Sequence, residues 1–559
     1  MLTQRLIFFA ALLLFPATIM LSQGDIKVAD IVFVNGKIWT VDASKPEAEA
    51  VAVLCGRILH VGTNDEIRRH VGPGTNVIDL QGKRMLPGFI DNHTHFMTGG
   101  FQLLGVDLRD AKTPQEFAER IKRQAERFPV EWLTGGDWDH ENWEGAPLPT
   151  KDLIDAVAPS TPVFVNRFDG HMALANSFAL KLAGVTKDTP DPPGGAIVHD
   201  PKTGEPTGIL KDEAMGYVYR IIPQSTEAEN LLAAKTALEE AKRNGITSIQ
   251  DVSSPDDFAL YQELLKRGEL TARFHCRLPI SELDQLSRTG VKAHFGNEML
   301  TIGSLKAFAD GSLGSSTALF FEPYTQDPST CGLASDIVID GRLEKWALAA
   351  DRAGLQLSIH AIGDSANSLL LDLFEKIVKG NPPWDRRFRI EHAQHIHPTD
   401  YQRFAKLGVI ASAQPYHAID DGRWAEKRIG HERCKNTYPF KSFLDNGVKL
   451  CFGSDWTVAP ISALQGIYAA VTRRTLDGKN PDGWFPEQKI SVKQAIECYT
   501  INNVYAVFEE GIKGSITEGK LADFVLLSDD ILTIDPVKIW DAKVDMTVLG
   551  GKIVYERSK

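Results

Sequence analysis

Short apolar runs recur through the middle of the chain, each closing on polar or ionisable residues and each followed by a stretch of amphipathic character. The runs fall at 85–94, 246–252, 273–279, 300–308, 355–360, 387–392, 408–413 and 449–454. Between them lie predicted helices, among them 227–243 and 343–353, whose apolar residues follow helical spacing. Strands that alternate with helices predict a parallel sheet, and eight of them predict an α/β fold built on a closed (β/α)8 TIM barrel. Barrels of this kind carry their chemistry at the C-terminal ends of the strands.

Those ends are where this sequence places groups able to bind metal. The run from Met85 closes on His93-Thr94-His95. Alternate strand side chains share a face, so His93 and His95 can close on one ion. A His-x-His pair alone is weak evidence, because histidine also fills ordinary half-buried positions. Its weight comes from the other strand ends, which supply Lys306 with Asp310, His360, Glu391 with His392, and Asp455. Asp455 could cap a helix, but its strand-end position favours catalysis, and Lys306 could instead form a buried ion pair with Asp310 or Glu391. A second pair, His395 and His397, lies past its strand end just before Pro398-Thr399 and reads as loop or capping.

The two ends of the chain are β-rich in another style. Segments 29–39, 50–54 and 57–61 carry the hairpin signal Asn35-Gly36, and 522–527, 544–549 and 551–555 carry a turn at Gly550-Gly551. They predict one small composite β-sandwich, with halves at 24–84 and 510–559, beside a barrel spanning 85–509. The stretch after His95 is too long for a βα connection. It predicts an inserted cap over the barrel mouth at about 113–235. Trp138 and Trp143 read as packing inside that cap rather than as substrate contacts.

At 559 residues, 43% hydrophobic and 24% charged, the composition suits a large soluble enzyme with added units around one barrel. A net charge of -12 argues against a nucleic-acid partner, and no phosphate-binding glycine loop supports a nucleotide cofactor. The cysteines at 55, 276, 331, 434, 451 and 498 show no Cys-x-x-Cys spacing, so neither a zinc ribbon nor a dense disulfide framework is expected. Cys451, in a predicted strand, reads as a packed thiol. Arg5 precedes an apolar run from Leu6 to Leu21 that Pro16 interrupts, which reads as a signal peptide over 1–23 and an exported protein, periplasmic or extracellular. No small-x-small cleavage site is evident, so an uncleaved membrane anchor is the alternative.

Beyond the metal-binding strand ends, the chain carries Asp169-Gly-His171-Met-Ala-Leu-Ala-Asn176-Ser177, Pro193-Gly-Gly195 followed by Glu205-Pro-Thr-Gly-Ile-Leu210, Ala309-Asp-Gly-Ser-Leu-Gly-Ser315, and Gly453-Ser-Asp455. Together these motifs resemble the amidohydrolase superfamily, specifically its YtcJ-like branch of metal-dependent hydrolases, from about Asp30 to the C-terminus. The resemblance implies one or two divalent metal ions, zinc first. His93, His95 and Asp455 would bind one and His360 and His392 the other, with a carboxylated Lys306 bridging them. It also implies attack by a metal-activated hydroxide on the C–N bond of a small-molecule amide substrate, whether N-acyl, formamide or cyclic amide. Asp455 would carry the proton, and His171 would bind or polarise the substrate. Arg423, Trp424, Tyr324 and, as the lesser reading of them, Trp138 and Trp143 are candidates for the pocket. Metal-assisted isomerisation or decarboxylation on the same scaffold, and a non-catalytic binding or signalling protein, remain as alternatives. Self-association into a homo-oligomer is left open.

Overall fold

The computed structural model of the chain describes residues 27–127, 131–138, 140, 143–145, 147–167, 172–192, 195–314 and 316–558. The signal-like residues 1–23 and the motif residues Asp169 to His171 lie outside the described residues.

Eight parallel strands form the barrel: Phe89–Thr94, Ile246–Val252, Arg273–Pro279, Leu300–Phe308, Gln356–Ala361, Arg389–His392, Ile410–Ala413 and Leu450–Phe452. Each pairs with the next in chain order. The ring is drawn together at its seam by a bridge between Thr94 and Trp456. Two backbone bonds lie beside that bridge, Asp455 N to His93 O and His95 N to Trp456 O, each 2.7 Å. These strands are buried on both faces, which is why they read in the sequence as apolar runs.

The run at 85–94 is the exception, because it is two strands in two sheets. Arg84–Pro87 pairs with Lys37–Trp39 and Phe524–Leu527, whereas Phe89–Thr94 enters the barrel beside Ile246–Val252. Gly88 joins them at a point where a Cβ would meet Thr247 at 2.3 Å. A residue without a side chain lets the chain cross from one sheet to the other against that strand.

The helices around the barrel follow from local signals. Glu227–Arg243 starts at a capping box made by Thr226 and Glu229, and Pro255–Arg267 at one made by Ser254 and Asp257. The alanine face of the first (Ala233, Ala234, Ala237, Ala241) is buried. It packs so closely on the helix Phe96–Leu104 that a Cβ at Gly100 would meet Ala233 O at 2.3 Å.

The chain termini build a composite sandwich. A six-stranded sheet takes Lys37–Trp39, Glu47–Ala48 and Arg84–Pro87 from the first half and Phe524–Leu527, Val544–Leu549 and Lys552–Glu556 from the second. A four-stranded sheet of Ile31–Val34, Ala50–Leu54, Arg57–Gly62 and Asn76–Asp79 faces it across a core that includes Phe33, Met85, Phe524 and Val548. Arg273, on a barrel strand, fixes this unit to the barrel through a buried two-bond pair with Asp523, at 2.7 and 2.9 Å.

Between the first barrel strand with its helix and the second strand, the chain forms a separate six-stranded sheet from Val106–Asp107 to Pro206–Asp212. Trp138 and Trp143 are buried in it and donate their indole N–H groups to Val165 O and Ala111 O, each at 2.9 Å. The six cysteines are all free, and burial pushes the Cys451 thiol up to about 12. Among the described residues no helix is long and apolar enough to cross a membrane.

Candidate metal centre

The C-terminal mouth of the barrel gathers His93, His95, Lys306, His360, His392 and Asp455 from four strand ends and the turn that follows the eighth strand. His93 is fully buried, with Nδ1 2.6 Å from a Glu391 oxygen. Glu391 lies on the sixth strand, 2.9 Å from both Arg277 and Arg389, and accepts from the Ser358 and Ser412 hydroxyls at 2.7 Å each. Burial pushes its carboxyl up, but the two guanidiniums and His93 outweigh that and hold it well below the usual carboxylate range. Burial first, and then the nearby Lys306, lowers His93 to about 3, so its ring is neutral at neutral pH. With Glu391 ionised, Nδ1 is the nitrogen that donates, and the Nε2 lone pair is left facing Asp455 Oδ1 at 3.6 Å.

Asp455 is shared by the donors around it. His95 Nε2 lies 3.3 Å from the same Oδ1. Burial raises the Asp455 carboxyl, yet His93, His95 and His392 together hold it well below its usual range. His392 is kept neutral by burial and then by its neighbour His360, and its Nδ1 lies 2.9 Å from Gln414 Oε1, which leaves Nε2 as the open donor. Asp455 and His392 both adopt left-handed backbone, at φ 57° and 70°. Such conformations in non-glycine residues are strained and collect at functional sites.

His360 and Lys306 complete the group. The His360 ring centroid is 4.4 Å from that of His392, and its Nε2 is 3.0 Å from Gly311 O and 3.4 Å from Asp310, leaving Nδ1 as its remaining donor. Lys306 Nζ is buried without a hydrogen-bond partner. Burial brings its pKa down to about 7, against the opposing pull of Glu391. Neither ion pair left open for it in the sequence holds it, because Asp310 accepts from the backbone of Leu319, Ile362 and Gly363 while Glu391 is taken up by His93 and two arginines.

Two sets of three donors could each surround one ion: His93, His95 and Asp455, and His392, His417 and Asp455, with the ligand atoms of each set within 4.8 Å of one another. His93 Nε2, His417 Nε2, Asp455 Oδ1 and Lys306 Nζ are all buried with no hydrogen-bond partner. Buried polar atoms left unpaired are costly, and several in one place call for a ligand that satisfies them. Imidazole nitrogens with a carboxylate oxygen fit a divalent ion of zinc type.

His417 was not a candidate from sequence. The signal available was its place three residues beyond Gln414, at the end of the seventh run. The supporting set of Glu391, Arg277 and Arg389 was also missed, apart from Glu391 as a possible partner of Lys306. Of the remaining candidates, His395 is buried against Thr437 at 2.7 Å, and His397 contacts Thr399 at 2.8 Å beside the start of a short helix. Tyr324 is buried and donates to Ala318 O at 2.8 Å. Arg423 does line a cavity of about 380 Å³, together with Arg109, Tyr416, Trp456 and Val458. That cavity lies beside the centre, since Trp456 adjoins Asp455 and Tyr416 adjoins His417. Trp424 is outside its lining and packs near Arg428.

Residues 76–555 match a family profile described as an amidohydrolase family. The chain is 39% identical to Protein LONG AFTER FAR-RED 3 of Arabidopsis thaliana, over 94% of this chain and 92% of that one. It is 31% identical to YtcJ of Bacillus subtilis (strain 168), over 94% and 99% of the two chains. It is 28% identical to the N-substituted formamide deformylase of Arthrobacter pascens, over 95% and 99%. Among solved structures it is similar to an uncharacterized metal-dependent hydrolase from Pyrococcus furiosus, with a TM-score of 0.74 and 29% identity over 90% of this chain and 100% of that one.

Proposed function

This chain belongs to the amidohydrolase family, and from that premise we propose that it hydrolyses the C–N bond of a small amide-type molecule, an N-acyl, formamide or cyclic amide compound. The observation that carries the proposal is the convergence at the barrel mouth of the buried His93 Nε2, Asp455 Oδ1 and Lys306 Nζ, none of them held by a hydrogen bond of ordinary geometry. The choice of an amide over isomerisation or decarboxylation is supported by the Arthrobacter pascens relative, whose name describes action on N-substituted formamides.

His93, His95 and Asp455 would hold one divalent ion, with His360, His392 and Lys306 available to a second. Such an ion, when bound, supplies a lowered water pKa and a polarised substrate carbonyl. Glu391 fixes the tautomer of His93 and so aims its Nε2 inward. The ionised Asp455 carboxylate takes the proton of the attacking water and passes it to the leaving nitrogen. Lys306, with its amine near neutrality, is suited to add carbon dioxide at Nζ and lose a proton, giving a carbamate. The cavity beside Trp456 and Tyr416 would take the rest of the substrate.

The test is a panel of N-formyl amines, N-acyl amino acids and cyclic amides, run with zinc-loaded protein in 18O-labelled water. The expected result is release of an amine, or ring opening, with one 18O in the carboxylate product. Turnover of a substrate without 18O incorporation would point to isomerisation or decarboxylation instead. A metal-loaded protein inert to the whole panel would overturn the proposal.

A further inference from the structure

We propose, resting on the hydrolase reading above, that the substrate carries a carboxylate apart from its scissile amide, and that Arg423 and Arg109 hold this carboxylate in the cavity beside the centre.

The helix Pro415–Asp421 serves both places. Its His417 faces His392 and Asp455, whereas Tyr416 and Asp420, one helical turn apart, line the cavity, and Arg423 follows them on that side. The turn from Trp456 to Pro460, which leaves Asp455 directly, lines the same cavity. It is thus built from immediate chain neighbours of groups at the centre.

Its polar lining is positive on balance. Among the described residues, Arg109 and Arg423 line it against one carboxylate, Asp420, in a chain whose net charge is -12. Asp420 is already engaged, since Arg423 donates from Nε to its main-chain oxygen at 2.9 Å and from Nη2 to its side chain. These bonds steer the guanidinium and leave Nη1 outside them. Arg109 arrives from a different unit, on the turn after Val106–Asp107, where Asp107 Oδ1 accepts its backbone N–H at 3.1 Å and Asp137 lies 3.4 Å from its Nη2. Both guanidiniums reach one phenol: burial and Asp420 raise Tyr416, and Arg423 and Arg109 pull it back. The Tyr416 ring lies stacked with Trp540, at 6.4 Å between centroids.

Arginine–aspartate pairs at a surface are common and contribute little to stability. What distinguishes these two is their convergence, from separate elements, on a cavity of about 380 Å³, a size that suits a small ligand. A planar guanidinium matches a carboxylate with two parallel N–H bonds, whereas an amine placed here would meet two like charges. Val458, Pro460 and Leu476 add an apolar wall, which suits a hydrocarbon stretch between amide and carboxylate.

The experiment uses full-length, zinc-loaded protein and matched N-acyl amino acids and N-acyl amino alcohols, which differ only in a terminal carboxylate or neutral hydroxymethyl group. A non-cleavable pair, with CH2 in place of the amide N–H, is titrated by calorimetry so that binding is read without turnover. KM and Kd of the acids are expected to lie about 10- to 100-fold below those of the alcohols. Arg423→Met and Arg109→Met should each raise both constants for the acids by about 10-fold, with kcat and the alcohols little changed. Arg423→Lys should recover part of the loss, because it restores the charge without the fork. Circular dichroism selects the folded variants. Hydrolysis with no preference for the acids, or folded arginine variants that bind them as wild type does, would overturn the inference and leave the hydrolase reading intact. A protein that cleaves nothing yet binds the non-cleavable acid through both arginines would overturn the hydrolase reading and keep the carboxylate site. Failure to bind that acid would overturn the site.

Discussion

Glu391 and His93 are fully buried and 2.6 Å apart, carboxylate oxygen to Nδ1, on strands that begin and nearly complete the barrel's circuit. The contact links the charged floor of the barrel, made by Arg277 and Arg389, to the donors at its mouth. Glu391→Gln is expected to weaken metal binding by about 10- to 100-fold, because the amide no longer enforces the His93 tautomer. It also leaves two buried guanidiniums without their anion, at a cost of about 3–5 kcal/mol. Competition titrations with a chromogenic chelator and urea denaturation of the metal-free protein would check both. Unchanged values would mean that Glu391 only fills space.

The buried histidines predict how the metal-free protein responds to acid. His93 and His395 are lowered to about 3, and His275 and His392 lie well below their ordinary value, in each case chiefly through burial. Their unfolded forms take a proton near pH 6.5 while the folded forms do not, so stability must fall as pH drops below about 6.5. Asp91 and Asp421, raised to about 6 by burial, act in the opposite sense between about pH 6 and 4. The histidine effect sets in first, just below pH 6.5 and above the range where the raised carboxylates take up protons, so the slope there is toward acid destabilisation. The urea midpoint of chelated protein is expected to fall steadily from pH 7 to 5, and a flat profile would show that these rings are not held neutral.

How far the centre was legible in the sequence depended on whether its residues stood at the ends of apolar runs. His93, His95, His360, His392 and Asp455 did, because parallel barrel strands are buried on both faces and their ends stand out as the first polar groups. The same rule concealed Gly88, where two buried strands of different sheets follow one another without a polar break. Arg277 and Arg389 were hidden for another reason. They are charged residues inside strands, and nothing along the chain shows that they meet one carboxylate across the barrel. His417 lies beyond its strand in a helix started by Pro415, so it carried no periodic signal.

Lys306 offers a chemical test independent of turnover. Its buried, unpaired Nζ and its pKa near 7 leave much of the amine unprotonated at neutral pH, the form that reacts with carbon dioxide. Protein equilibrated with 13C-labelled bicarbonate and zinc should show a carbamate resonance that is absent from Lys306→Ala. The variant should also bind fewer ions and lose activity. A missing resonance in the wild type, with full metal content, would make Lys306 a structural residue.

Asp455→Asn separates proton transfer from metal binding. The amide keeps an oxygen that can still ligate, but it cannot accept a proton from water at neutral pH. Asp455 Oδ1 lies 3.3 Å from His95 Nε2 and 3.6 Å from His93 Nε2, so the carboxylate touches the donors on which an ion would sit and is the nearest base to anything bound there. Once a substrate is in hand, kcat of the variant is expected to fall by about 10²- to 10⁴-fold, the usual weight of a general base. KM should change little, because no substrate contact is removed. The pH profile sharpens the test. The wild-type carboxylate is held well below its usual range, so its acid limb should lie at low pH, and the residual activity of the variant should have lost that limb. A variant with near-normal kcat and the same acid limb would move the proton-carrying role to another group.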